Sequence, residues 1–77
     1  MFKKFRVYKM FKRFKACNAD FKEEEIIVNV IHITDISDCD LKSKDGSIIL
    51  KTVMRLADGY TFYLTLSPKE VREYIES

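Results

Sequence analysis

Acidic residues are absent from the first fifteen positions of this chain, and seven of its fourteen basic residues lie there. These seven are Lys3, Lys4, Arg6, Lys9, Lys12, Arg13 and Lys15. Residues 16–77 hold the other seven basic residues and all twelve acidic ones, a net charge of −5. The total of +2 therefore hides a strongly divided chain, and such a basic segment is typical of binding to an anionic partner.

Glycine and proline are scarce, with two and one residues, and tryptophan is missing. So few chain breakers exclude long flexible linkers. A hydrophobic content of 47% with ten aromatic residues excludes a disordered chain. The 77 residues predict one small domain over 1–77, with 1–15 as a basic, aromatic arm or helix. No cofactor is indicated.

Long apolar runs are also missing. None approaches the ~20 residues of a membrane span, and no apolar stretch follows the basic residues as it does in a signal peptide. We therefore expect a cytoplasmic protein. In that compartment Cys17 and Cys39 are expected to be free thiols.

The clearest helix signal lies near the end of the sequence. Ser67 can cap the first turn, Pro68 suits the first helical position, and Glu70 completes a capping box. An apolar stripe then follows at Val71, Tyr74 and Ile75. This pattern predicts a short helix that packs on a sheet.

A β-hairpin is predicted just before this helix. Residues 48–56 and 60–66 alternate apolar and polar side chains around an Asp58-Gly59 turn. A three-residue loop with left-handed Gly59 places Met54 opposite Phe62 and keeps one face apolar throughout.

The remaining segments complete the predicted fold. Apolar residues over 25–36 predict one well-covered strand, and the polar stretch 37–46 predicts a loop. An apolar stripe through Val7, Phe14 and Phe21 predicts a helix over 6–22, with a strand over 3–8 as the alternative. The expected fold is α+β: an N-terminal helix, a three-stranded antiparallel meander and a short C-terminal helix (αβββα).

This order of elements resembles that of double-stranded-RNA-binding domains. The resemblance covers topology only. That family presents a lysine cluster at the start of its last helix, whereas the matching residues 68–72 are interrupted by Glu70. No family is assigned on this basis.

The basic segment carries aromatic residues at every third position. Cations neutralise phosphates and aromatic rings stack on bases. Phe2, Phe5 and Tyr8 fall off the helical stripe, so they are candidates for stacking on a partner. We therefore expect a non-catalytic protein that binds nucleic acid or a nucleoprotein through its seven N-terminal cations.

Other interpretations of the basic segment remain open. Its cations can form a solvated face or pair internally with the acids at 23–25. The segment can bind an acidic protein surface, as an inhibitor or adaptor does, or an anionic membrane, which we rank lower. A second candidate interface is the sheet face that carries Tyr63 and Arg55, although a solvated face with a Val53–Tyr63 pair is the favoured interpretation. The oligomeric state is left open.

Metal binding and catalysis are not supported. Side chains of metal-ligand types cluster over 32–40, at His32, Asp35, Asp38, Cys39 and Asp40. His32 and Asp35 would point to opposite faces of a strand, and the spacing fits neither a zinc site nor an EF-hand. The two acids that flank Cys39 should raise its pKa and weaken it as a nucleophile.

Overall fold

The computed structural model describes residues 10–77, in which five strands form one antiparallel sheet and a single helix packs against it. The strands lie in the order β2-β1-β5-β4-β3. Their bounds are Phe11–Cys17 (β1), Glu23–Asn29 (β2), Ile33–Lys42 (β3), Ile49–Leu56 (β4) and Thr61–Leu64 (β5), and the helix α1 is Pro68–Glu76. The chain is α+β in this broad sense.

The predicted helix over 6–22 is wrong for the residues that the structure describes. Residues 11–17 form β1, which pairs along its whole length with β2. A seven-residue segment is ambiguous between helix and strand, and pairing with a neighbour overrides its weak helix propensity. The alternative strand over 3–8 lies outside the described residues.

The predicted single strand over 25–36 is also wrong. A 3-10 turn at Val30–His32 divides it into β2 and β3, and Asn29 caps that turn by accepting a hydrogen bond from the Ile31 N–H at 3.2 Å. The predicted loop over 37–46 is shorter than expected, because β3 runs on to Lys42. The sheet therefore has five strands where three were predicted, and the topological resemblance to RNA-binding domains disappears.

The connection between β2 and β3 determines the shape of the sheet. These strands occupy opposite edges, yet only Val30–His32 separate them in the chain. The sheet must therefore curl so that the end of β2 meets the start of β3. His32 holds this corner, because its carbonyl accepts a hydrogen bond from the Ala57 N–H at 2.7 Å.

The predicted hairpin is confirmed. Met54 lies opposite Phe62, and Gly59 takes the left-handed φ of 95° that the three-residue loop requires. The predicted helix start is confirmed as well: Ser67 accepts a hydrogen bond from the Glu70 N–H, and the Glu70 side chain accepts one from the Ser67 N–H.

The hydrophobic core fills the concave side of the curled sheet beneath α1. Its buried members are Phe14, Ala16, Val28, Met54, Leu64 and Val71. Four of the five strands and the helix therefore contribute buried residues to one core. Within β1, alternation turns Phe14 and Ala16 inward and leaves the cations Arg13 and Lys15 exposed on the other side.

Candidate anion-binding cleft

The sheet opens on one side of β1. This strand pairs with β5 only at Cys17, opposite Tyr63, because β5 ends at Leu64. Beyond that pair the two segments separate and leave a cleft of about 260 Å³. The cleft is lined by Arg13, Phe14, Lys15, Thr65, Leu66 and Tyr74.

The backbone of β1 faces this cleft at Arg13 and Lys15. In an antiparallel pair, alternate residues direct both their N–H and C=O groups towards the same neighbour. Asn18 bonds to Lys22 across the β1–β2 hairpin, so residues 12, 14 and 16 face β2. Arg13 and Lys15 then face the cleft, and the Arg13 carbonyl accepts a hydrogen bond from the Tyr74 hydroxyl at 2.7 Å.

The wall of the cleft is apolar and held in position. The Phe14 and Tyr74 rings meet edge to face, with centroids 5.2 Å apart. On the other side, the buried Thr52 hydroxyl donates a hydrogen bond to the Leu66 carbonyl at 2.6 Å. These contacts anchor the segment after β5, so the cleft is built from fixed elements.

Two cations lie at the rim, and they differ in their surroundings. The Arg13 Nε lies 3.4 Å from the Glu25 carboxylate, although the Arg13 side chain stays 67% exposed. Lys15 is also exposed and stands opposite Glu25 in the strand register. Within residues 10–77, Lys15 forms no ion pair.

The third described cation of the basic segment binds the helix. The Lys12 Nζ donates to the Ser77 carbonyl at 3.0 Å and lies 5.2 Å from the centre of the Tyr74 ring. A cation here is favourable because the C-terminal end of a helix carries partial negative charge. Lys12 therefore helps to dock α1 on β1, a structural role that the sequence did not reveal.

The structure thus brings Arg13 and Lys15 together at the cleft and directs Lys12 elsewhere. The other predicted anion-binding residues, Lys3, Lys4, Arg6 and Lys9, lie outside the described residues. The predicted stacking residues Phe2, Phe5 and Tyr8 also lie outside them.

The second predicted interface, at Tyr63 and Arg55, is largely occupied by internal contacts. Tyr63 is half-buried, with Cys17 and Val53 opposite it on the two adjacent strands. The Arg55 Nη1 lies 2.6 Å from the Asp35 carboxylate. A hydrogen bond from Ser37, with help from Arg55, lowers the pKa of Asp35.

Sequence reasoning missed two contacts that shape the cleft, those of Thr52 and of the Tyr74 hydroxyl. Internal pairing of the basic segment with the acids at 23–25 was one of its alternatives, and the Arg13–Glu25 ion pair is of this kind. Thr52 had a detectable signal, since it is a polar residue at an inward position of β4 between Leu50 and Met54. Tyr74 was recognised as apolar, but its hydroxyl contact depends on β1 being a strand.

Both cysteines are free, and neither is activated. Burial, with a smaller effect of Glu23, raises the pKa of the Cys17 thiol. Burial also raises the pKa of Cys39, and Asp40 and Asp38 add to the effect, as predicted from the flanking acids. Across residues 10–77, no three side chains of His, Cys, Asp or Glu converge as a metal site would require.

Comparison with known proteins finds no match. No family model, no curated protein and no solved structure matches it. Among the described residues, no helix has the length and apolar character needed to cross a membrane. The function must therefore be argued from the cleft and the surface around it.

Proposed function

We propose that this protein binds single-stranded nucleic acid without catalysis, through the cleft beside β1 and the basic residues that precede it. The observation that carries the proposal is the pair of exposed cations, Arg13 and Lys15, at the rim of an apolar cleft. Cations at a rim suit phosphates, and an apolar wall suits a base.

The size of the cleft favours part of a polymer over a whole small molecule. Pockets for small molecules usually span roughly 300–1,000 Å³, and this one measures about 260 Å³. It can accept one flat group while the rest of the ligand stays on the surface. A single strand can insert a base in this way, whereas a duplex keeps its bases stacked.

Glu25 competes with the ligand for Arg13. Their ion pair is exposed, with a distance of 3.4 Å, and pairs of this kind contribute about 0.2–1 kcal/mol. A phosphate can displace such a weak contact. Replacing Glu25 by glutamine should therefore tighten nucleic-acid binding.

The experiment measures fluorescence anisotropy of a labelled 12-nucleotide single strand and of the matching duplex. Binding should be tighter for the single strand and should weaken as salt rises. Lys15→Glu should weaken binding by tenfold or more. Lys44→Glu is the matched control, because Lys44 is exposed in the loop between β3 and β4 and undergoes the same charge change.

Each outcome bears on the proposal. Equal losses for Lys15→Glu and Lys44→Glu would mean that net charge alone drives binding and that the cleft plays no part. An absence of binding at about 50 mM salt, where phosphate contacts are strong, would sink the proposal altogether.

Protein binding is a second candidate function, with a different observation in its favour. Ile27 is 68% exposed on β2, and Phe11 is exposed on the neighbouring strand. Apolar side chains at a sheet edge are typical of surfaces that meet another chain. A protein-binding inhibitor or adaptor would use this edge and would not need the cleft.

A further inference from the structure

The open edge of β2 can accept another strand. Among the described residues β2 pairs only with β1, and it forms one edge of the sheet. The backbone N–H and C=O groups of Phe14 face β2, and the same register determines which backbone groups of β2 point to the open edge. Ile26 and Val28 bond to β1, so Glu23, Glu25 and Ile27 direct their N–H and C=O groups to the open edge.

The side chains along β2 define what a neighbour must carry. Glu23, Glu24 and Glu25 occupy the first half of the strand, and all three are exposed. The second half is apolar, and Ile27 is its most exposed member. The edge therefore changes from anionic to apolar along its length.

The opposite edge of β2 already shows which sequence fits this pattern. There β1 places Phe14 opposite Ile26 and Lys15 opposite Glu25, and Arg13 forms an ion pair with Glu25. Side chains of a strand project above and below the sheet, where the neighbours on both sides meet them. A second strand with the character of β1 would find the same complementarity on the open side.

We propose that the open edge of β2 binds an extended basic-aromatic segment of a partner protein by antiparallel strand addition. The backbone of Glu23, Glu25 and Ile27 supplies the hydrogen bonds, as in other strand-addition complexes. The glutamates select cations at one end of the peptide. At the other end Ile27 contacts an apolar side chain diagonal to it, as Phe11 is diagonal to Ile27 in β1. This interface rests on the second candidate function, protein binding at the β2 edge, and names the chemistry of its partner; it is separate from the nucleic-acid cleft, since it lies on a different strand and takes a ligand of opposite charge.

The probe is a synthetic peptide with the sequence of residues 11–16, Phe-Lys-Arg-Phe-Lys-Ala, blocked at both ends and labelled with a fluorophore. It should bind the full chain saturably. The double variant Glu23→Lys/Glu24→Lys should weaken binding by tenfold or more. Glu73→Lys/Glu76→Lys is the matched control, because these exposed helix acids undergo the same change in charge.

Two N-methylated peptides separate strand addition from charge attraction. One carries methyl groups on alternate backbone nitrogens, and the other carries them on the remaining nitrogens. A strand donates to its neighbour from alternate residues, so one peptide should lose binding and the other should keep it. Equal binding of both would overturn the proposal.

Hydrogen exchange locates the contact. The amides of Glu25 and Ile27 should exchange more slowly when the peptide is bound, while those of Ile26 and Val28 should change little. Slower exchange only at Arg13, Lys15 or α1 would place the peptide elsewhere and contradict the proposal.

A second copy of the chain is the competing occupant. Residues 2–6 read Phe-Lys-Lys-Phe-Arg, which matches the probe pattern Phe-Lys-Arg-Phe-Lys at 11–15. Sedimentation equilibrium of the full chain distinguishes the two cases. A monomer that binds the peptide supports a partner protein, whereas a dimer that the peptide dissociates would replace that partner with a second copy.

Discussion

Replacing Tyr74 by phenylalanine tests the contact on which the cleft and the docking of α1 depend. The Tyr74 hydroxyl donates to the Arg13 carbonyl at 2.7 Å, and its ring meets Phe14 edge to face. Tyr74→Phe removes the hydroxyl but keeps the ring. A hydrogen bond of this kind contributes about 0.5–1.5 kcal/mol, and the partly exposed site favours the lower half of that range.

The measurement is urea denaturation followed by circular dichroism, together with a thermal melt. In a domain of this size, 1 kcal/mol corresponds to a shift of roughly 4–8 °C in Tm. Tyr74→Ala should cost more, because the aromatic pair contributes about 0.5–1.5 kcal/mol of its own. Tyr60→Phe is the control, since the Tyr60 hydroxyl makes no hydrogen bond within residues 10–77 and the residue is 64% exposed.

An unchanged stability of Tyr74→Phe would refute the role given to this hydrogen bond in docking α1 on β1. It would mean that water in the cleft satisfies the Arg13 carbonyl as well as the Tyr74 hydroxyl does.

Three further predictions concern local contacts. Ser67→Ala should lower the free energy of unfolding by about 1 kcal/mol in urea denaturation, because it removes the N-cap of α1. Thr52→Val should cost about 0.5–1.5 kcal/mol in the same assay, since it removes the hydrogen bond to the carbonyl of the exposed Leu66. Hydrogen bonds from the backbone and hydroxyl of Ser47 and from Ser43 lower the pKa of Asp45 from 3.8 to about 2. The ionised form of Asp45 is thus favoured in the folded state. Its contribution to the free energy of unfolding is present above pH 3.8 and is lost as the pH falls through about 2. An NMR titration of the Asp45 carboxyl carbon should show that midpoint, and Asp45→Asn should abolish this part of the acid sensitivity.

The hairpin and the helix could be predicted because their signals are local. The Asp58-Gly59 turn and the Ser67 capping box each lie within a few residues, and each specifies a backbone geometry directly. The structure confirms both. Such motifs need no knowledge of what lies elsewhere in the fold.

The β1–β2 hairpin could not be predicted because its turn contains no glycine or proline. Asn18 forms the turn instead, since its side-chain oxygen accepts hydrogen bonds from the Asp20 and Lys22 N–H groups at 2.9 and 3.2 Å. Phe21 adopts a positive φ of 61°, which is rare for an aromatic residue. Without a visible turn, the apolar residues of β1 were assigned to a helical stripe.

The break between β2 and β3 also lacks a local signal. The residues around Val30–His32 are mostly β-branched and continue the apolar pattern on both sides. The chain turns there because β2 and β3 lie at opposite edges of a curled sheet. That placement depends on the whole fold and has no signal in the neighbouring residues. Of the candidate site, Arg13 and Lys15 were predicted, and internal pairing with the acids at 23–25 was an alternative, but the role of Thr52 and the choice of Glu25 among these acids required the register.

The charge division of the sequence is partly neutralised inside the hairpin. Residues 10–29 hold four basic and four acidic residues, so this region is electrically balanced. The excess positive charge lies before it, at Lys3, Lys4, Arg6 and Lys9. An anionic ligand therefore meets two groups of cations. Near Arg13 and Lys15, Glu25 competes with the ligand, whereas the sequence places no acidic residue among the four cations that precede β1.

Salt dependence can count which of these cations contact phosphate. Each phosphate neutralised on a single strand contributes about −0.7 to the slope of log affinity against log salt concentration. Contacts from Arg13 and Lys15 alone predict a slope of about −1.4, whereas six contacts predict about −4. We expect the steeper slope, and we expect replacement of the four residues before β1 by glutamine to reduce it to about −1.4. If the slope were about −1.4 both before and after that replacement, the cations that precede β1 would not contact phosphate, and binding would belong to the cleft alone.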